Sequence, residues 1–410
     1  FIDMAGKDPK EVYQAVEANS LGLSEAQPLQ TREEGMNAML AGNLLLLVEG
    51  YDKGLKIGSK GYPARSVDNT DTEKVLRGSN EGFTESVKTN TALIRKRIRS
   101  TDMKVEELTA GVRSNTRLVL VYMKELVYPE VLEQIRRGID QFVIDGVLDS
   151  GIIEQLTEED WVSPFPQFQT TERPDLAAME VLDGRVALLC DNSPVALLLP
   201  SVFQDFMNVT EDRYNRFEIA SFERVIRYAA MIFSFLLSGT YLAVIGFHTM
   251  ILPTNLILSF AESRQGVPFP SLLEVLFMEL AFELIREAGI RMPGALSGTI
   301  GIVGGLIIGD AAVSANLVSP MVVVIVALTA LGDFAIPSEE LSEGIRLVKY
   351  AMLFLCANLG IMGFFLGLVF LLVHLANLKS FGVSYLAPYS AWELNRGADR
   401  KDSLLRFPLI

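Results

Sequence analysis

Four long stretches without a charged residue constrain this chain more than any other feature. Arg227 and Glu262 bracket 34 uncharged residues, Arg291 and Asp310 bracket 18, Asp310 and Asp333 bracket 22, and Lys349 and Lys379 bracket 29. A helix needs roughly 20 predominantly apolar residues to cross the hydrocarbon core of a bilayer. Four such runs exceed what a soluble core of this size requires, so the sequence predicts a helical membrane domain over residues 223–378.

Charge divides the chain at the same place. Residues 1–222 carry 24 Lys+Arg against 36 Asp+Glu, whereas residues 223–410 carry 12 against 14. So acidic a first half lacks the Lys and Arg footprint that neutralises phosphates, which argues against nucleic acid as a partner. Cys190 and Cys356 offer no disulfide framework and suit a reducing compartment. The chain opens on Phe1 and a polar stretch without the pattern of a signal peptide, which reads as a trimmed chain.

The acidic half reads as two α/β lobes, 1–70 and 71–222. In the first, Leu44–Val48 predicts a buried strand, and the Gly- and Pro-bearing stretch from Tyr51 to Asp71 predicts a linker. In the second, a basic helix is expected over Glu85–Arg99, a strand over Leu118–Met123, and amphipathic helices over Val131–Val143 and Ile152–Leu156. Pro164, Pro166 and Pro174 predict an extended connector. Val186–Cys190 and Val195–Leu199 flank Asp191-Asn192-Ser193-Pro194 as a hairpin just ahead of the membrane. Phe203–Phe222 suits an interfacial segment leading to Arg224 and Arg227.

In the membrane region the first run is too long for one crossing and contains Pro253. A span over Tyr228–Phe247 is expected, followed by a short or re-entrant piece over Met250–Phe260. Ser271–Ala288 is apolar but interrupted by Glu274, Glu279, Glu283, Arg286 and Glu287, too charged to face lipid all round. Gly301, Gly305 and Gly309 form successive small-xxx-small pairs that favour tight helix packing. Leu317–Leu331 and Tyr350–Asn377 supply two further spans. Arg224 and Arg227 on one side and the basic tail 379–410 on the other both favour the cytoplasmic face, which implies an even number of crossings, four or six.

Glu279, Glu283 and Glu287 are spaced by four and share one helix face. In a symmetric pore they would form a ring of carboxylates, the usual device for favouring cations. On a surface-lying amphipathic helix they would be solvated instead. Asp310 is a further candidate for an ion path, or a cap at a helix break. Arg95, Lys96 and Arg97 are either a solvated face or a patch for an acidic partner or anionic lipid. His248 and His374 lie in apolar runs, where a hydrogen-bonded interfacial histidine is the expectation. No metal-ligand spacing, phosphate loop or nucleophile–base arrangement is visible, so no cofactor, metal or enzymatic activity is expected.

Several blocks in order carry a family resemblance. They are Arg77-Gly78 with Glu81-Gly82-Phe83, Asn90-Thr91-Ala92-Leu93-Ile94-Arg95, Pro164-Phe165-Pro166-Gln167, and Thr171-Glu172-Arg173-Pro174. Leu182-Asp183-Gly184-Arg185, Leu252-Pro253-Thr254, Val267-Pro268-Phe269-Pro270 and Glu283-Leu284-Ile285-Arg286-Glu287-Ala288 follow, then Ile302–Gly309 and Lys379-Ser380-Phe381-Gly382. Through them the chain resembles the GerA family of spore germination proteins, the A-type subunits of nutrient germinant receptors, over nearly its whole length.

The resemblance implies a multi-pass protein of the spore inner membrane with a cytoplasmic two-lobed α/β region. It further implies work beside a permease-like B subunit and a lipoprotein C subunit, as a homo-oligomeric channel for monovalent cations or, for a late-sporulation paralogue, beside other membrane proteins. A non-conducting scaffold that recruits partners through its acidic half is the rival expectation.

Overall fold

The structure, a computed structural model of the 410-residue chain, describes residues 8–17, 26–29, 31–40, 44–57, 73, 78–290, 296–390 and 405–407. It resolves into two compact units. One comprises Phe1–Glu159, Phe168–Ser201 and Ser380–Val383; the other comprises Asp160–Gln167, Val202–Lys379 and Ser384–Ile410.

The first unit opens with α1 (Pro9–Glu17), β1 (Ala26–Leu29), α2 (Arg32–Leu40), β2 (Leu44–Leu47) and β3 (Gly54–Ile57). The strands form an antiparallel sheet in the order β1-β3-β2. Two expectations change here. The Leu44–Val48 run is a strand but not a buried one, since Leu44 is 50% and Leu47 70% exposed. It lies at the edge of a small sheet whose core of Tyr13, Leu55 and Ile57 engages Leu46 alone among the four leucines. The expected linker contains the sheet's central strand, β3. There Gly54 leaves room for the β2 leucines, for a Cβ at that position would stand 3.1 Å from Leu47 Cδ2. The remainder of that expected linker, 58–71, lies outside the described residues.

The unit continues with α3 (Val87–Arg97), β4 (Met103–Ala110), β5 (Thr116–Met123), α4 (Pro129–Asp140), α5 (Ser150–Thr157), β6 (Gln169–Thr171), α6 (Pro174–Leu182), β7 (Val186–Cys190) and β8 (Ala196–Leu199). The second sheet runs β4-β5-β7-β8-β6, every pair antiparallel. Side chains alternate across a strand. Leu118, Leu120 and Tyr122 therefore pack on one face with α4 and α5, while Val119, Val121 and Met123 pack on the other with α3 and α6. Cover on both faces explains why β5 and β7 read as continuous apolar runs. The expected hairpin is β7–β8, with Asn192 at a left-handed φ of 70° in its turn. The expected extended connector instead yields β6 and α6. Pro174 stands in the first turn of α6, where a missing N–H costs nothing.

The second unit holds α7 (Glu211–Tyr214), α8 (Phe217–Phe247), α9 (Thr254–Ser263), α10 (Ser271–Ile290), α11 (Leu296–Ser314), α12 (Pro320–Phe334), α13 (Glu339–Leu359) and α14 (Ile361–Asn377). Among the described residues, α8 is the one helix long and apolar enough to cross a membrane, and α12 and α14 are shorter apolar helices. The 29-residue uncharged run, expected as one span, is broken in two. Gly360 adopts φ 61° and ψ −139°, a backbone state essentially reserved for glycine. The chain turns back there, so that a Cβ on Gly367 of α14 would collide with Met352 Sδ of α13.

The described glycines of α11 pack tightly, as expected, but against side chains rather than backbone. A Cβ at Gly305 or Gly309 would meet only side chains, Phe282 at 3.4 Å and Val323 at 3.3 Å. Gly301 lies outside the residues whose surroundings are described. Close backbone approach occurs instead where α12 crosses α8, at Gly332.

Candidate functional site

Lys349 of α13 is 2% exposed, deep in the helical unit. Its ammonium donates to Glu279 Oε2 of α10 at 2.8 Å and to Asp333 Oδ2 of α12 at 3.2 Å. Glu279 Oε1 also accepts from Ser238 Oγ of α8 at 2.8 Å and from Thr329 Oγ1 of α12 at 3.2 Å. The Ser234 hydroxyl donates to Asp333 Oδ1. Ser234 with Ser238, and Thr329 with Asp333, are spaced by four and so share a helix face. Four helices thus converge on one polar knot.

Arg286 of α10 extends the network, approaching Asp333 Oδ2 at 3.4 Å with its guanidinium 5.0 Å from the centre of the Phe334 ring. Two buried carboxylates face two cations, so the knot is charge-balanced within one chain. Balance is what such a site demands, because an unpaired buried charge costs several kcal/mol. Glu283, half-buried, lies 3.5 Å from Arg346 Nε and 4.0 Å from Arg286.

Two further buried carboxylates anchor helix ends. Glu274 Oε2 accepts from the Ser319 amide at 2.9 Å, at the start of α12, and its Oε1 lies 3.1 Å from Arg264. A carboxylate at a helix N-terminus satisfies an orphan N–H and the helix dipole together. Asp212 receives Arg224 Nε at 3.0 Å and Arg227 at 2.5 Å. The two arginines that the sequence offers as flanking cations are therefore partners of one carboxylate.

The predicted glutamate stripe is graded along α10 rather than uniform. Glu279 is buried, Glu283 half-buried and Glu287 exposed; Glu274, expected off that face, is buried as well. The N-terminal part of α10 carries Val275 and Met278 into the apolar core of the unit, and its C-terminal part leaves it. Asp310 is exposed near the end of α11. In the first unit, Lys96 and Arg97 both bind Glu81, at 2.6 and 2.7 Å, and Arg95 beside them is half-buried. His374 Nε2 shares a 2.8 Å hydrogen bond with Ser163 Oγ, and His248 Nδ1 lies 3.4 Å from the Ala243 carbonyl. Among the described residues no group of three or more His, Cys, Asp or Glu could hold a metal ion.

Glu73 and Glu106 of the first unit have proton affinities displaced in opposite directions. Burial pushes Glu73 up to about 7, against hydrogen bonds from Thr171 Oγ1 at 2.7 Å and the Glu172 amide at 3.0 Å. The Arg136 hydrogen bonds hold Glu106 below the usual carboxylate range.

Sequence reasoning found Glu279 but missed its partners. Asp333 and Lys349 served only as ends of uncharged runs. A charge that closes such a run and falls within a helix, as both do, was the available signal.

The sequence profile described as Bacillus/Clostridium GerA spore germination protein matches residues 3–410. The chain is 39% identical to an uncharacterized membrane protein of Bacillus subtilis, YfkQ, over 95% of this chain and 75% of that one. It is 36% identical to spore germination protein KA of Bacillus subtilis, over 96% and 72% respectively. Among solved structures, the N-terminal domain of the A subunit of the Bacillus megaterium spore germinant receptor GerK3 aligns with 48% of this chain and 70% of its own. The identity there is 28% and the TM-score 0.36, too low to argue a shared fold. By the whole-length profile and these relatives, the chain belongs to the GerA family of spore germination proteins.

Proposed function

We propose that this chain is an A-type germinant-receptor subunit of the spore inner membrane. Its helical unit assembles as a homo-oligomeric, nutrient-gated channel for monovalent cations, beside a permease-like B subunit and a lipoprotein C subunit, with the first unit cytoplasmic. The observation that carries the reading is the Glu279–Lys349–Asp333 knot, buried where four helices of the helical unit meet. Ionisable groups at such depth are expensive in a membrane and mark ion or proton paths. Because four helices share the knot, a displacement of any one must exchange its hydrogen bonds or ion pairs, which gives a signal from a partner subunit something discrete to act on. Glu283, Glu287 and Asp310 lie outside the knot and are the groups through which a lumen would favour cations.

The test is Rb+ uptake by liposomes holding the full-length protein with its B and C partners. Nutrient should start the uptake, and Glu279→Gln should change it several-fold while Glu283→Gln and Asp310→Asn shift cation over anion preference. Uptake identical to that of empty liposomes, from an assembled complex, would overturn the channel. The charge balance of the knot within one chain favours a second reading, a non-conducting scaffold that recruits partners. In that case deleting residues 1–200 abolishes partner recovery and no variant alters uptake.

A further inference from the structure

Lys349 is paired with two buried carboxylates at once. One oxygen of each of two carboxylates, Glu279 Oε2 and Asp333 Oδ2, holds the ammonium, while their other oxygens accept from the hydroxyls of Ser238, Thr329 and Ser234, and each of these five residues is at most 3% exposed. Hydroxyl and carboxylate oxygens at close range are the ligands of hard alkali cations, and an ammonium is the side-chain group closest to such an ion in charge and hydrogen-bonding reach. We infer that the Lys349 ammonium occupies a monovalent-cation site, as a tethered ion held by the two carboxylate oxygens that a free K+ or Na+ would take.

The charge count selects the valence. With Arg286 beside Asp333, withdrawing Lys349 leaves one uncompensated negative charge, which a single monovalent cation neutralises and a divalent one overshoots. The tether is long enough to matter. Lysine is a point charge on a flexible four-carbon stem, so its head can leave while α13 stays in place. The site can thus exchange its own cation for a passing one without unfolding a helix. On the channel reading, which this inference deepens, Lys349 is the plug of the resting state.

The experiment uses full-length protein in lipid nanodiscs, melted in KCl, RbCl or N-methylglucamine chloride at equal ionic strength. Wild type should melt alike in all three. Lys349→Met should melt lower in N-methylglucamine and rise saturably by several degrees in K+ or Rb+. Lys349→Met with Glu279→Gln, which restores neutrality without a cation, should lose that response. The inference is overturned if Lys349→Met melts alike in all three salts, if the double variant keeps the response, or if wild type responds equally. It is also overturned if Lys349→Met is recovered folded in none of the salts while the double variant folds, for then a free cation does not replace the ammonium. Rb+ uptake by Lys349→Met liposomes separates the two readings. A cation response without uptake keeps the site and defeats the plug; uptake without a cation response defeats the site and leaves the channel.

Discussion

The carbonyl oxygen of Ala230 lies 2.6 Å from where a Cβ on Gly332 would stand, and the Ser234 amide lies 3.1 Å from the same point. Both neighbours are backbone, so neither can swing aside. The glycine sets the distance between α8 and α12, and hence the reach of Ser234 to Asp333. Gly332→Ala should destabilise the helical unit by about 1–3 kcal/mol, the usual cost of overpacking. Gly246→Ala on α8, with nothing within 4 Å of its Cβ position, should be neutral or stabilising by up to about 1 kcal/mol. Thermal denaturation of the two variants side by side checks the contrast.

Arg173 should be the least replaceable side chain of the first unit. It is 1% exposed and donates to the Glu73 and Ser79 carbonyls at 3.0 and 2.9 Å and to Asp175 at 2.8 Å. Arg173→Met leaves a buried carboxylate without its cation, a loss of about 3–5 kcal/mol. Arg173→Lys should recover less than half of it, since an ammonium cannot span three separated acceptors in the guanidinium plane. Denaturant titration of each variant measures the difference, and equal stability of Lys and Arg at this position would refute the bonding scheme.

Stability of the first unit should fall as pH rises from about 4.5 to about 7. Glu73 titrates in the unfolded chain at its ordinary value of 4.5 and in the folded chain at about 7. Between the two the unfolded state binds fewer protons, so each rise in pH favours unfolding, by an upper bound of about 3 kcal/mol across the window. Glu73→Gln should flatten the slope. Glu106 works in the opposite sense. Its folded affinity is lowered by Arg136, so the stability it contributes is present above the ordinary carboxylate range and is lost in acid. Melting curves between pH 5 and 8 resolve the Glu73 slope without titrating Glu106.

Gly360→Ala should loosen the turn between α13 and α14. The backbone state costs a non-glycine residue about 1–3 kcal/mol, and a Cβ there would stand 2.9 Å from Phe247 Cγ. Pairing it with Phe247→Ala removes the clash and leaves the backbone term. The double variant should therefore remain less stable than Phe247→Ala alone in the same melting assay.

Much of the first unit was legible because its signals are local. β5, β7 and β8 are apolar runs bounded by turn residues, and α4 buries Val131, Leu132, Ile135 and Ile139 at helical spacing. β4 escaped notice because it is an edge strand whose apolar residues are interrupted by Lys104 and the adjacent pair Glu106 and Glu107. The ion knot was half legible for a different reason. Glu279 stands out on its own helix, whereas Lys349 and Asp333 lie 70 and 54 positions further on, and only packing brings them together. The turn at Gly360 was hidden because absence of charge reports burial or lipid, not direction. A glycine in such a run carries no sign of its φ.

If the helical unit spans a bilayer as proposed, the brevity of α12 and α14 has a consequence for the lipid around it. At 15 and 17 residues they reach about 22 and 26 Å, short of the roughly 30 Å of an ordinary hydrocarbon core. A bilayer spanned by them would thin at their ends, at a fraction of a kcal/mol for each ångström of mismatch. On that reading acyl-chain length would become a mechanical load on the Gly360 turn, and a thicker membrane would press the α13–α14 pair toward a different tilt.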